Sequence, residues 1–189
     1  MPFTMKKLTL ILLSISLIAS CTSKKELTNE EAINLIKQDK NFPSVIDYEI
    51  YCSDPASAKK VLNAGLESAG LVAVQRTQKL ADVGKPLISF TAQAQPYLLP
   101  TSEKEKSRYI QKVKLADEDI AAVSKLKTNE AGDKAFVEYT TTYKNVTPFS
   151  PLLQTNYNQS KKNKAYFTLS DTGWKLEKNP DISFVELEK

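Results

Sequence analysis

Ala135-Phe136-Val137-Glu138-Tyr139-Thr140-Thr141-Thr142-Tyr143-Lys144 decides the fold class. In an extended chain, Ala135, Val137, Tyr139, Thr141 and Tyr143 share one side, while Glu138, Thr140, Thr142 and Lys144 share the other. Strand side chains point alternately to opposite faces, so one face here is apolar and the other is solvated. β-Branched and aromatic residues also suit the pleated backbone. One dry and one wet face is the pattern of an antiparallel sheet, and the flanking sequence supplies partners. Upstream, Tyr109, Val113 and Leu115 begin a long extended segment towards Leu126, with a break or bulge expected near Asp117-Glu118-Asp119 and a turn at 129–133 around Gly132. Downstream, after a long loop at 147–163, Ala165, Phe167 and Leu169 begin a hairpin that turns at Asp171-Thr172-Gly173. It returns through Trp174, which is expected to be buried against Val137 and Tyr139.

The first half reads as helices and short strands. Thr28 with Glu31 three residues later forms a capping box, and Ala32, Ile33, Leu35 and Ile36 give one apolar helix face before Phe42-Pro43. From Val45 to Cys52 the residues alternate, as in a half-buried strand. Asp54-Pro55 opens a second helix with the buried stripe Val61, Leu62, Leu66 and Ala69, closed by Gly70. Two strands at 71–77 and 87–91 follow, joined by a loop at 78–86. Residues 101–107 are charged and read as a flexible boundary. The expectation is an α+β fold: a small N-terminal helix/strand module (28–100) packed beside a C-terminal antiparallel β-sheet module (108–189).

The extreme N-terminus carries a different message. Lys6 and Lys7 precede an 11-residue apolar run, 8–18, and Ile18-Ala19-Ser20-Cys21 ends it. A basic start, a short apolar core and a small residue before the cut make an export signal; a membrane span needs about 20 apolar residues. Met5 is a more usual start for such a signal than Met1. The stretch resembles the lipobox of bacterial lipoproteins. That resemblance implies that residues 1–20 are a signal peptide, that Cys21 is lipidated and begins the mature chain, and that residues 21–27 are a tether. Its first partner would be the membrane, through the lipid. Thr22, in place of the Asp that tends to retain lipoproteins at the inner membrane, implies the outer membrane in a host with two membranes.

Composition narrows the function classes. Removing residues 1–20 takes Lys6 and Lys7 and lowers the formal net charge from +4 to +2, and the remaining lysines are interspersed with acids as on a solvated surface. With Cys21 lipidated, Cys52 is alone, which excludes a disulfide within the chain and reads as a small core residue. There is no histidine, which removes Ser-His and Cys-His catalysis and the usual zinc sites. No cofactor and no metal are expected. Ser57 and Lys60 have the Ser-x-x-Lys spacing of penicillin-binding enzymes, but the companion motifs are absent. Asp117-Glu118-Asp119 lacks a calcium-loop pattern, and adjacent strand residues diverge. Asn145-Val146-Thr147 and Asn158-Gln159-Ser160 match a glycosylation pattern that carries no meaning in a bacterium.

Two further resemblances concern architecture. The order helix, helix, strand, loop, strand ending in Ile88-Ser89-Phe90-Thr91 faintly resembles the second half of a winged-helix domain, although 45–52 reads as strand where that fold wants helix. No nucleic-acid partner is expected of an exported chain. The ending, from Ala165-Tyr166-Phe167 to Gly173-Trp174-Lys175-Leu176, resembles the closing hairpin of cystatin-like and nuclear-transport-factor-2-like sheets. Those folds wrap a curved sheet round a helix and often hold a ligand in the cone.

The loop at 147–163 is the best candidate contact region, because long connections are usually functional or disordered. Phe149, Leu152, Leu153 and Tyr157 fall within nine residues of it. Such side chains either pack back onto their own domain or await an envelope protein partner. The expectation is therefore a lipid-anchored, non-enzymatic binding or assembly factor of the cell envelope. The alternative is a small hydrolase using carboxylates or Lys.

Overall fold

The computed structural model describes residues 26–189, so Cys21, the signal at 1–20 and most of the tether lie outside the described residues. The fold is α+β, with helices concentrated in the N-terminal half and a curled antiparallel sheet drawn largely from the second half. The first helix, α1 (Asn29–Lys40), starts where Thr28 Oγ1 accepts the Glu31 backbone N–H at 3.1 Å. It ends at Asn41 in the left-handed region, before a cis Phe42-Pro43 bond. Strand β1 (Ser44–Tyr51) follows, then α2 (Pro55–Asn63), capped by Asp54. The chain leaves α2 at Asn63, so Leu66 is still buried but Ala69 is exposed.

Strands β2 (Val72–Val74) and β3 (Ile88–Phe90) form a separate two-stranded ribbon. A short helix, α3 (Glu103–Ser107), occupies the stretch expected to be flexible. Its Ser102 and Glu105 side chains cap each other's backbone reciprocally, which is a full capping box. Glu105 also meets Lys112 at 2.6 Å. The main sheet comprises β4 (Ile110–Thr128), β5 (Lys134–Lys144), β6 (Lys161–Ser170) and β7 (Gly173–Leu176), with β1 on the free side of β4, in the order β1-β4-β5-β6-β7. A final turn of helix, α4 (Val185–Glu188), closes the chain.

β4 is the spine of the molecule. Its first half pairs with β1, from Tyr51 opposite Ile110 to Ser44 opposite Glu118, and its second half pairs with β5. The acidic triplet lies within this continuous strand rather than breaking it. Register shifts flank the triplet, between Ile46 and Asp47 against β1 and between Ile120 and Ala122 and between Val123 and Lys125 against β5. The latter two fall where β1 no longer covers β4, and bulges at such an edge discourage pairing with another chain.

Two apolar clusters lie along this spine. In one, Leu27 just before α1 and Ala32 and Ile36 of α1 pack with Ile120, Val137, Tyr139, Phe167 and Trp174. Trp174 is buried there, as the alternation of β5 and β7 demands. In the other, α2, the β2–β3 ribbon and the segment after β5 pack Val61, Leu66, Ile88, Phe149 and Leu152 against Ile50, Val113 and Leu115. Cys52 belongs to this cluster, and burial pushes its thiol up to about 11, so it is a core residue. Phe136 falls on the otherwise polar face of β5. The chain end covers it, with Phe184 and Leu187 buried against Phe136 and Tyr166. Glu188 pins this cover by accepting from the Tyr166 hydroxyl at 2.6 Å and pairing with Lys164.

The Glu105–Lys112 contact makes stability pH-dependent. Hydrogen bonds from Lys112 and from Ser102 hold the Glu105 carboxyl down at about 2, against an ordinary 4.5. A depressed carboxyl stabilises the fold fully above its unfolded value and loses that effect as pH falls through its folded value. The stability gap between wild type and Glu105→Gln should therefore be present at pH 6 and close between about pH 4.5 and 2. Thermal unfolding at stepped pH reads this, and a gap that stays constant would refute the contact's role.

Candidate functional site

The loop after β5 is fixed at its start. Thr147 donates from its hydroxyl to the Lys114 carbonyl at 2.5 Å and from its backbone N–H to the Leu115 carbonyl at 2.8 Å. The Thr147 hydroxyl then accepts the Phe149 N–H at 3.2 Å, which turns that ring inward. Phe149 is 0% exposed and meets Tyr97 edge-on, with centroids 6.0 Å apart. Leu152, at the end of the helical turn Ser150–Leu152, is 1% exposed. These two residues pack back onto their own domain, the first of the two outcomes open to the apolar side chains of this loop. Leu153 is 40% exposed. Tyr157 is half-buried and stands edge-on to Tyr143, with centroids 5.2 Å apart, and burial pushes its phenol upward.

What the loop does present, it presents to α2. Pro151, Leu152, Leu153 and Gln154 form one wall of an open cleft of about 700 Å³, and Ala56, Lys59, Lys60, Asn63 and Ala64 form the other. On its opposite flank α2 borders a second cleft of about 430 Å³. There Ala58 and Leu62 face Val74 and Leu87, with Gln75, Arg76 and Gln78 along the rim. Lys59 and Asn63 line both, so they form the crest between the two clefts. The helix explains the placement: Ala58 and Val61 turn inward to the core, which leaves Lys59, Lys60 and Asn63 on the outer face.

The ionisable groups around α2 are committed separately. Asp54 accepts the backbone N–H groups of Ala56 at 3.0 Å and Ser57 at 3.2 Å, together with the Ser57 hydroxyl, and these bonds hold its carboxyl low. Lys60 donates to the Tyr48 hydroxyl at 2.7 Å and lies over that ring, 4.3 Å from its centroid. Ser57 and Lys60 thus have different partners, and nothing in their bonding resembles a nucleophile paired with its base. Arg76 pairs with Glu67 at 2.5 Å, and that bond, with the Val74 N–H, lowers the Glu67 carboxyl.

The acidic triplet is equally dispersed. Asp117 takes Lys114 and Asn145, Glu118 takes the Thr141 hydroxyl, and Asp119 bridges Lys37 and Lys144, each at 3.2 Å. Burial raises the Asp119 carboxyl, but Lys144 and Lys37 outweigh it and leave it low. Each carboxylate whose acidity is shifted is shifted downward, away from the range of a proton-holding general acid. Among the described residues no three His, Cys, Asp or Glu side chains converge as metal ligands, and no helix is long and apolar enough to cross a membrane.

No protein-family model, no curated protein and no solved structure matches this chain. The cleft geometry therefore carries the functional argument by itself. One wall, in the 147–163 loop, is legible in the sequence by its apolar composition; the α2 wall is not among the expected contact residues. The signal for α2 was present: Asp54-Pro55 fixes the helix start, and the buried spacing then leaves Lys59, Lys60 and Asn63 outside.

Proposed function

We propose that this is a lipid-anchored protein of the cell envelope that works by holding a protein partner rather than by catalysis. Cys21 is the anchor, and the outer face of α2 with residues 151–154 is the contact surface. The observation that carries the binding half is the open cleft between Lys59, Lys60 and Asn63 on one wall and Leu153 and Gln154 on the other. It offers cations, amides and apolar surface without a reactive pair. Exposed apolar side chains in a concave, partly polar surround are the usual makings of a contact site. The anchoring half rests on Lys6-Lys7, the apolar run and Ser20-Cys21.

Cys21→Ala is expected to move the protein from the membrane pellet to the soluble fraction of cells, and equal retention would end the anchoring reading. For the binding half, Leu153→Asp alters a 40% exposed side chain. It should leave the melting temperature within a few degrees while removing the species that chemical cross-linking attaches to the wild type in intact cells. An unchanged set of cross-linked species would overturn it.

A further inference from the structure

The two clefts are one surface divided by a crest. Lys59 stands on that crest, exposed, and its ammonium makes no hydrogen bond or ion pair among the described residues. Lys60 donates a hydrogen bond to the Tyr48 hydroxyl and not to a carboxylate, so no acid offsets its charge. No carboxylate lines either cleft, in a protein with nearly as many acids as bases. Asp54 and Glu67, the acids nearest in sequence, are held by the α2 backbone and by Arg76. The uncompensated charge at the crest is therefore positive.

The rest of the lining specifies more than charge. Leu153 and Pro151 in the first cleft, and Leu62 and Leu87 in the second, are aliphatic floors on either side of the lysines. Asn63, Gln75, Gln78 and Gln154 are amides, each able to donate to and accept from a passing peptide backbone. No aromatic side chain lines either cleft. Sugar rings and nucleic-acid bases seek aromatic platforms, so this lining favours a peptide over a glycan or a nucleic acid.

Resting on the binding reading of this same site, we propose that the α2 face takes an extended acidic peptide segment of a partner protein. Its carboxylates sit on Lys59 and Lys60, and it sends an apolar side chain into each flanking cleft. Geometry sets the spacing. A helix is about 10 Å across, and an extended chain advances about 3.3 Å per residue. The two apolar residues of the ligand therefore stand three or four positions apart, with one or two acids between them.

Panning a random twelve-residue peptide library against the folded, unlipidated chain from residue 22 tests this without a known partner. The enriched peptides should be acidic, with aliphatic residues three or four apart. Their binding, measured by fluorescence anisotropy, should weaken about tenfold or more against Lys59→Glu/Lys60→Glu and fall with added salt. Lys59→Glu alone, which breaks no bond within the protein, keeps the comparison valid if the double variant is less stable; it should cause a smaller loss in the same direction. Enrichment of basic or uncharged peptides, equal binding to the charge-reversed variants, or no enrichment over an unrelated protein would each overturn the proposal. Loss of cross-linked species in Leu153→Asp alongside such a result would leave the binding function standing and remove only its acidic-peptide specificity.

Discussion

Phe149→Ala is expected to lower the unfolding free energy by about 3–5 kcal/mol, the usual cost of removing a fully buried aromatic ring. The ring is 0% exposed and wedged between Phe90 and Tyr97, with centroids 6.4 and 6.0 Å away. Val113 and Leu115 of β4 belong to the same cluster. Its position is fixed by Thr147, whose two bonds to β4 prevent the loop from collapsing to fill the gap. Leu153→Ala, four residues on, is the control and should cost under about 1 kcal/mol, because surface substitutions are mild. Urea unfolding of the two variants measures the contrast. Equal small losses would show that the loop does not belong to the core.

Trp174→Ala should be of similar size, about 3–5 kcal/mol, and acts on the other cluster. The indole is 4% exposed and packs with Val137, Tyr139 and Phe167 under α1. Because Trp174 is the one tryptophan in the chain, its emission reports this cluster alone. Native emission should be blue-shifted from that of indole in water and should shift red on unfolding. Trp174→Phe retains most of the buried area and should lose distinctly less than the alanine variant. Native emission at the position of free indole would refute the packing.

The elements legible in the sequence are those whose causes are local. Thr28, Asp54 and the alternation from Ala135 to Tyr143 act within a few residues of themselves, so cap and period reveal them. Residues 101–107 are charged enough to suggest a flexible stretch, yet the local capping-box spacing of Ser102 and Glu105 makes a short helix there. The inward turn of Phe149 and Leu152 was not legible, because it depends on Thr147 reaching β4, far earlier in the chain. The role of Phe136 was hidden for a related reason. It lies on the wet side of its strand, and its cover, Phe184 and Leu187, comes from an ending too short to show a period. The α2 cleft was half legible: the loop wall stood out by composition, but nothing local brings residue 153 to residue 59.

The pairing of β1 with the first half of β4 has a consequence for how the chain acquires its shape. β4 to β7 follow one another directly through turns and one loop, so their contacts close over modest stretches of chain. Ser44, by contrast, finds its place only beside Glu118, after α2, the ribbon and α3 have all been traversed. Closing that larger ring costs more entropy, and non-local pairings slow a two-state folder. β1 should accordingly dock late, onto a meander already formed. Because β1 precedes β4 in the chain, its pairing groups stay unsatisfied until residues 110–118 are in place.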